Sequence, residues 1–493
     1  MRSFFGISTC VAATLICITA SEWLEPRNNT RNSSFTLTDD QIKSLGLSNE
    51  AAHNLEVVVR FEQTNWATGS VINDPFYTDL PANATTAPAG SLLKLEAFTN
   101  TSTYTIAPSL ALSRFIYQSK TLNGTVVPVS AYILWPYHTL GGIKAAPLVG
   151  WGHGTAGLVA ECAPSHMRNL LYQFSGPYAL ALAGYAVVAT DYAGLGVPFY
   201  PDGSPILHQY VASPAGGNDI LYAVQAARSA FPDKLTEEFV VYGHSQGGGT
   251  AWAAAQQQVE LQIPGYLGTI AGSPVTNTTM LVKATGQSLA MMQAANTMKS
   301  IWPDVDIGAE MLTTRGQALL TLVEEVQGCS LAVETALAGT LEADPTAALM
   351  KDGFIDSYWS TSFANLTAVG GQDFVGPMLV FHGTNDALLP EALTALSVNQ
   401  TCASFPEREL RYVVAQGVGH VDASYATQQI WLKWLEERFN SKSKSGMYAT
   451  RSETRSGTTS CTVETIGDDT ARPLDQYQSA LNWHLSYSPN GIL

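Results

Sequence analysis

Positive charge is scarce in this sequence, with 25 Lys and Arg against 41 Asp and Glu and a formal net charge of −16. Such a surface repels phosphate backbones and anionic headgroups, which excludes nucleic acid and acidic membranes as natural partners. A neutral or apolar ligand is not repelled. Charged residues of either sign make up only 13% of the chain while hydrophobic residues make up 46%, which excludes wholesale disorder and leaves ample material for a core. Cysteines number six, and none is arranged as C-x-x-C, so a zinc site is not expected. Long apolar runs are missing except at the start. There Arg2 precedes the run Phe4 to Ile18 and then Thr19-Ala20. That run is shorter than the roughly 20 residues a membrane span needs, and it has the layout of a secretory signal ending at Ala20.

Export gives the remaining cysteines a meaning. Cys10 and Cys17 leave with residues 1–20, and Cys162, Cys329, Cys402 and Cys461 remain for two disulfides in any of three pairings. Sequons at Asn28, Asn32, Asn83, Asn100, Asn123, Asn277, Asn365 and Asn399 agree with a glycosylating, extracellular route.

With 493 residues, a large domain carrying insertions is expected. Residues 21–50 are polar and read as a flexible N-terminal segment. From Ser130 onward short apolar runs recur: Ser130–Trp135, Pro147–Trp151, Ala186–Ala189, Phe239–Tyr242, Tyr266–Ile270, Met378–Phe381 and Leu410–Val414. Several lack alternation, as strands buried on both faces do. Helical patterns such as Asn218–Ser229 and Gly248–Gln258 lie between them. This rhythm predicts an α/β fold with a mostly parallel, doubly wound sheet over residues 51–275 and 373–440. The interval 276–372 reads as a helical cap inserted into that sheet domain; it is rich in Leu, Ala and Met, including Leu289, Met291, Met292 and Met298. Residues 441–460 read as a polar linker and 461–493 as a C-terminal segment with Trp483, Leu485 and Tyr487.

The run Phe239–Tyr242 leads straight into Gly243-His244-Ser245-Gln246-Gly247 and then a helical pattern. Strand, G-x-S-x-G, helix is the nucleophile elbow, whose tight turn lifts the Ser245 hydroxyl clear of the sheet. A serine hydroxyl is a weak nucleophile without a base, and the base needs a carboxylate to hold its tautomer. In this fold class the acid and then the histidine follow the serine in chain order. Asp386 lies just past the run Pro377–Phe381, and His420 just past Leu410–Val414. Each therefore stands where open α/β sheets bind ligands, at the carboxyl ends of strands. Asp356 and Asp373 precede the strand and face the wrong edge. His382 and His153 begin His-Gly turns, where an imidazole braces a loop. For the oxyanion, the backbone N–H of Gln246 is one expected donor. Gly154 or Thr155, after the run Pro147–Trp151, is the other. Losing one such donor costs roughly 3–4 kcal/mol of barrier. No metal-ligand cluster stands out, and chemistry by this triad needs no cofactor.

The sequence resembles the fungal secretory lipases of the lipase-A type, within the α/β-hydrolase superfamily, over roughly Asp74 to Phe439. The likeness is carried by Asp74-Pro75-Phe76-Tyr77, Gly152-His153-Gly154-Thr155, Cys162-Ala163-Pro164-Ser165, Asp191-Tyr192-Ala193-Gly194, the Ser245 elbow, Asp386 and His420. The resemblance implies a helical lid ahead of the acid's strand. It also implies a Cys162–Cys329 disulfide, leaving Cys402 to Cys461. Together these features lead to the expectation of a secreted, monomeric serine esterase or lipase. It would act on acylglycerols or other apolar esters and touch lipid interfaces transiently. An acyltransferase or a serine peptidase of the same fold would keep the same triad. A non-catalytic binding protein of this fold would be expected to have lost a triad member.

Overall fold

The computed structural model describes residues 33–286, 289–346, 348–441 and 460–478. The signal segment, Asn28, Asn32, the linker from 442 to 459, and Trp483, Leu485 and Tyr487 lie outside the described residues.

Ten strands form one sheet: β1 (Leu92–Glu96), β2 (Ala111–Lys120), β3 (Val126–Trp135), β4 (Ala146–Gly152), β5 (Ala186–Thr190), β6 (Leu235–His244), β7 (Tyr266–Gly272), β8 (Met378–Gly383), β9 (Leu410–Ala415) and β10 (Cys461–Ile466). Their spatial order is β1-β2-β3-β5-β4-β6-β7-β8-β9-β10. The pairs β1–β2, β2–β3 and β3–β5 are antiparallel. From β5 through β4 to β10 every pair is parallel. All seven strands read from the sequence are present.

Continuous apolar runs form the central strands because helices cover both faces of the sheet. In β6, Phe239 and Val241 face Ile220 and Ala223 of the helix Ser213–Ala230, together with Ala251 and Ala254 of Gln246–Leu261. Val240 and Tyr242 point the opposite way, toward Trp431, Trp434 and Leu435 of the helix Gln428–Ser441. Each fully buried side chain of this size contributes about 1.5–3 kcal/mol.

Two edges depart from expectation. The sheet begins upstream of Ser130, with β1 and β2. Here the apolar pattern is blurred by buried polar residues, chiefly Arg114 and Gln118. Arg114 is tolerated inside because Asp74 at 3.1 Å and Glu96 at 2.9 Å neutralise it. At the other edge, Cys461 opens β10, which pairs with β9.

The expectation of a flexible segment through residue 50 fails from Thr38 onward. Thr38 and Gln41 make a reciprocal capping box on the helix Asp39–Leu45, and Gly46 closes it at φ 64°. Ser48 then caps the helix Asn49–Thr64. The polar residues cap and face solvent, while Leu37, Leu45 and Leu47 are buried.

Between β7 and β8 the described residues carry seven helices: Thr278–Thr285, Leu289–Gln293, Ala295–Ile301, Ile307–Glu310, Thr314–Val326, Ser330–Ala343 and Tyr358–Thr367. Their apolar faces, with Met291, Met292, Met298, Leu319, Val323 and Val333, form a core distinct from those flanking the sheet. Ala51, Leu55, Val58 and Val59 of the helix Asn49–Thr64 belong to the same core. That helix therefore packs with the helical layer and not with the sheet, to which the sequence reading assigned it. None of the described helices is long and apolar enough to cross a membrane.

Candidate active site

The chain leaves β4 for β5 on one side, and β6 later fills the other. That reversal opens a crevice at the carboxyl ends of the strands. The loops after β4, β6, β8 and β9 meet there.

Ser245 stands between β6 and the helix Gln246–Leu261 with φ 60° and ψ −120°. Few non-glycine residues accept this conformation, and its occurrence between strand and helix is the strained elbow. Its N–H donates to Gly272 O at 2.9 Å, and its carbonyl accepts from Gly248 and Val275. A Cβ on Gly243 would collide with the Gly247 carbonyl, and one on Gly247 with the Gly152 carbonyl. Both positions must be bare for the elbow to cross β4.

Asp386 follows β8 in a turn, its side chain fully buried. Oδ1 accepts the N–H groups of Leu388 at 2.9 Å and Leu389 at 2.8 Å. Oδ2 accepts His420 Nδ1 at 2.6 Å and His382 Nε2 at 2.9 Å. Burial pushes the Asp386 carboxyl up, but His420 and His382 together outweigh it and hold the group well below the usual carboxylate range. The bond to Asp386 places the His420 proton on Nδ1 and leaves Nε2 with its lone pair.

Three hydrogen bonds reach the His420 carbonyl and the neighbouring His244. His244, adjacent to Ser245, directs Nε2 to the His420 carbonyl at 3.0 Å, and the two rings are 4.7 Å apart. Ser273 Oγ donates to the same carbonyl at 3.4 Å. Because that carbonyl can only accept, His244 Nε2 carries hydrogen and Nδ1 faces the Tyr172 hydroxyl at 3.5 Å. Burial pulls the His244 pKa down to about 3, keeping it neutral. Among the described residues no hydrogen bond joins His420 to the Ser245 hydroxyl. Such links commonly tighten only when substrate is bound.

The loop Gly152-His153-Gly154-Thr155 passes beside Ser245. A Cβ on Gly154 would lie 3.0 Å from the Ser245 Cβ and would collide with the Tyr172 hydroxyl. Gln246 opens its helix, so its N–H has no intrahelical acceptor. Thr155 is tied outward: its hydroxyl bonds Tyr210 at 2.9 Å, and its carbonyl accepts Ser330 Oγ at 3.0 Å. Cys162 is bonded to Cys329, directly before Ser330, so the helix Ser330–Ala343 is covalently fixed to this loop region. Cys402 is bonded to Cys461, tying β10 to the helix Glu391–Ser404.

The residues that carry the family resemblance converge behind this loop. Asp191 accepts from Ser130 Oγ at 2.6 Å, from Ser165 N–H at 2.8 Å and from the Ser165 hydroxyl. Ser165 in turn bonds Tyr77, and Asp74 caps the turn before Tyr77 while pairing Arg114. The conspicuous Asp74–Tyr77 and Cys162–Ser165 segments thus brace the structure beneath the Gly152–Thr155 loop.

His382 goes beyond the brace expected of it. It holds Asp386 itself, while also donating toward Leu389 O and accepting from Thr394 at 2.9 Å. Its position at the end of β8, four residues before Asp386, was the available signal. Tyr172 had none. It sits in a run, Leu170 to Gln173, in which all four residues have positive φ. Asp356, on an exposed turn, pairs with Lys283 at 2.7 Å, and Asp373 pairs with Arg408 at 2.7 Å. Neither enters the crevice. Of the described sequons, Asn83, Asn100, Asn123, Asn365 and Asn399 are exposed and Asn277 is half-buried. No group of three or more metal-ligating side chains occurs among the described residues.

Comparison with known proteins gives the same picture. A secreted triacylglycerol lipase of Malassezia globosa, LIP7, is 23% identical over 301 residues, 57% of this chain and 62% of that protein. The chain thus spans somewhat under two thirds of that relative. Candida antarctica lipase A superposes with a TM-score of 0.60 at 17% identity, over 83% of this chain and 93% of that one. A rice cell wall degrading esterase, LipA from Xanthomonas oryzae, gives 0.54 at 19% identity, over 72% and 100%. These structures share the α/β-hydrolase fold. The secretory lipase family model matches residues 177–446, which include the elbow, Asp386 and His420 and more than half of the chain, and the protein belongs to the secretory lipase family.

Proposed function

We propose that the protein is an extracellular serine hydrolase that cleaves acylglycerols or other apolar carboxylic esters through an acyl-enzyme on Ser245. The observation that carries this reading is the 2.6 Å bond from His420 Nδ1 to Asp386 at the same sheet edge as the strained Ser245 elbow. His420 Nε2 takes the Ser245 proton as Oγ attacks the ester carbonyl. The oxygen that becomes negative is received by the N–H of Gln246 and by that of Gly154 or Thr155. His420 then returns the proton to the leaving alcohol. Water repeats the sequence and releases the acid. His420 and His382 keep Asp386 ionised, so it stabilises the imidazolium that forms in each half-reaction.

Membership of the secretory lipase family and the two disulfides support an extracellular setting. The interval 276–372 serves as the lid, with the helix Asn49–Thr64 as part of its core. Exposed Met280, Tyr358 and Leu366 on that layer, with Leu388 on the acid's loop, suit brief contact with a lipid interface.

A series of nitrophenyl esters from short to long acyl chains, with purified protein, tests the reading. Hydrolysis that vanishes in Ser245→Ala is expected. Absence of hydrolysis across the series, with transfer to an added alcohol or cleavage of a peptide instead, would replace it.

A further inference from the structure

Behind the nucleophile, three rings lie in a row from one wall of the crevice to the other. His153, on the β4 side, has its ring 4.4 Å from that of Tyr192, at an interplanar angle of 38°. Tyr192 has its ring 5.9 Å from that of His208, at 22°. The row grips both walls. Tyr192 donates its hydroxyl to the His153 carbonyl at 3.0 Å, one residue before Gly154. His153 Nδ1 reaches the Gly154 carbonyl at 2.6 Å. At the far end, His208 Nε2 meets the Gln246 side-chain amide at 3.3 Å.

The hydrogen bonding of His208 has one consistent assignment. Its Nδ1 faces the Ala193 carbonyl at 2.9 Å and so carries the proton. Nε2 is then the acceptor, and the Gln246 amide must turn its NH2 group inward. Burial pulls the His208 pKa down to about 4, so the ring is neutral at ordinary pH and keeps this role. The Gln246 Oε1 is buried without a partner. The amide is therefore held from the His208 side, at the first residue of its helix, where the backbone N–H has no intrahelical acceptor. Tyr192 occupies its place at φ 67°, a conformation that non-glycine residues rarely adopt. Packing on both of its faces, and its hydroxyl bond, hold it there.

We propose that His208 is a positioning residue for the oxyanion hole. Through Gln246 on one side, and through Tyr192 and His153 on the other, it sets the spacing of the two walls that receive the developing charge. It acts through these neighbours and makes no hydrogen bond to Ser245. A misplacement of the donors by about 1 Å is enough to cost roughly a hundredfold in rate. This inference rests on the ester-hydrolase reading above and assigns that reaction a residue no motif marked.

The test is a double-variant cycle on a soluble ester, read with a boronic acid that mimics the tetrahedral adduct. His208→Phe keeps a ring in the stack and removes the acceptor. It is expected to lower kcat by roughly tenfold to a hundredfold, leave KM within about twofold, and weaken the boronic acid by a factor similar to the kcat loss. His208→Gln restores an acceptor and should recover most of the loss. Gln246→Leu removes the same bond from the other side. It should reproduce the loss alone, and the double variant should be no worse than either single one. Should His208→Phe not fold, Gln246→Leu and His208→Gln carry the comparison. Wild-type kcat and boronic acid affinity in Gln246→Leu, or additive losses in the double variant, would overturn the proposal. Wild-type hydrolysis abolished by Ser245→Ala is measured alongside. If that control fails, the ester-hydrolase reading falls and this inference falls with it; if it holds, flat variants count against His208 alone.

Discussion

Asp386 and His420 come from loops after neighbouring strands, 34 residues apart in the chain, and meet at 2.6 Å with the carboxylate fully buried. A second imidazole, His382, binds the same carboxylate oxygen at 2.9 Å. The acid is thereby both oriented and kept ionised.

Asp386→Asn is expected to lower kcat by roughly 10⁴, because an amide no longer enforces the His420 tautomer. Its effect on stability should depend on pH. The folded-state pKa of Asp386 is depressed, so its contribution is fully present above the unfolded value of about 3.9 and is lost as pH falls through the folded value. Urea midpoints of wild type and variant should therefore differ most at pH 7, and the gap should begin to narrow only below about pH 4. A gap that widens on acidification would contradict the cause assigned.

Gly154→Ala tests the approach of the oxyanion loop. The added methyl meets the Tyr172 hydroxyl and crowds Ser245. A kcat loss of at least about a hundredfold is expected, with the melting temperature little changed beside it. Gly203→Ala is the control: its new methyl meets open space, though φ is 84°. It should cost about 1 kcal/mol of stability and leave kcat alone.

The two disulfides should behave differently when removed as Cys→Ser pairs. Each closes a long loop, so each removal should cost roughly 2–5 kcal/mol in denaturant melts. Loss of Cys162–Cys329 should also reduce kcat, since Ser330 and Thr155 are bonded beside it. Loss of Cys402–Cys461 should leave kcat intact, because it fastens only the far edge of the sheet.

Arg114→Met leaves Asp74 and Glu96 without their shared cation. About 3–5 kcal/mol of destabilisation is expected from guanidinium melts, with the kcat of the folded fraction preserved.

Much of this was legible from residue patterns. The seven strands from Ser130 to Val414 are parallel or central, so burial on both faces left unbroken apolar runs. What escaped notice was built on other physics. β2 hides because Arg114 and Gln118 are polar yet buried, a state that only distant Asp74 and Glu96 make affordable for the arginine. The helix Asp39–Leu45 is short and polar and depends on caps, and its Thr38-x-x-Gln41 signature was there to be read. The catalytic candidates were legible because tight turns demand glycine at fixed offsets. His208 and Tyr172 were not, since each reaches the crevice from a loop with no motif spacing to mark it, Tyr172 by way of a left-handed backbone at φ 53°. The pairing of the cysteines came from resemblance; spacing alone left three choices.

The most direct measurement is a crystal structure of the protein after reaction with an alkyl phosphonate. Phosphorus bonded to Ser245 Oγ is expected, with its oxygen held by the N–H of Gln246 and that of Gly154 or Thr155, and with His420 Nε2 within hydrogen-bonding reach of Oγ. An adduct on another residue, or an imidazole at 420 turned out of reach of a modified Ser245, would contradict the proposed chemistry.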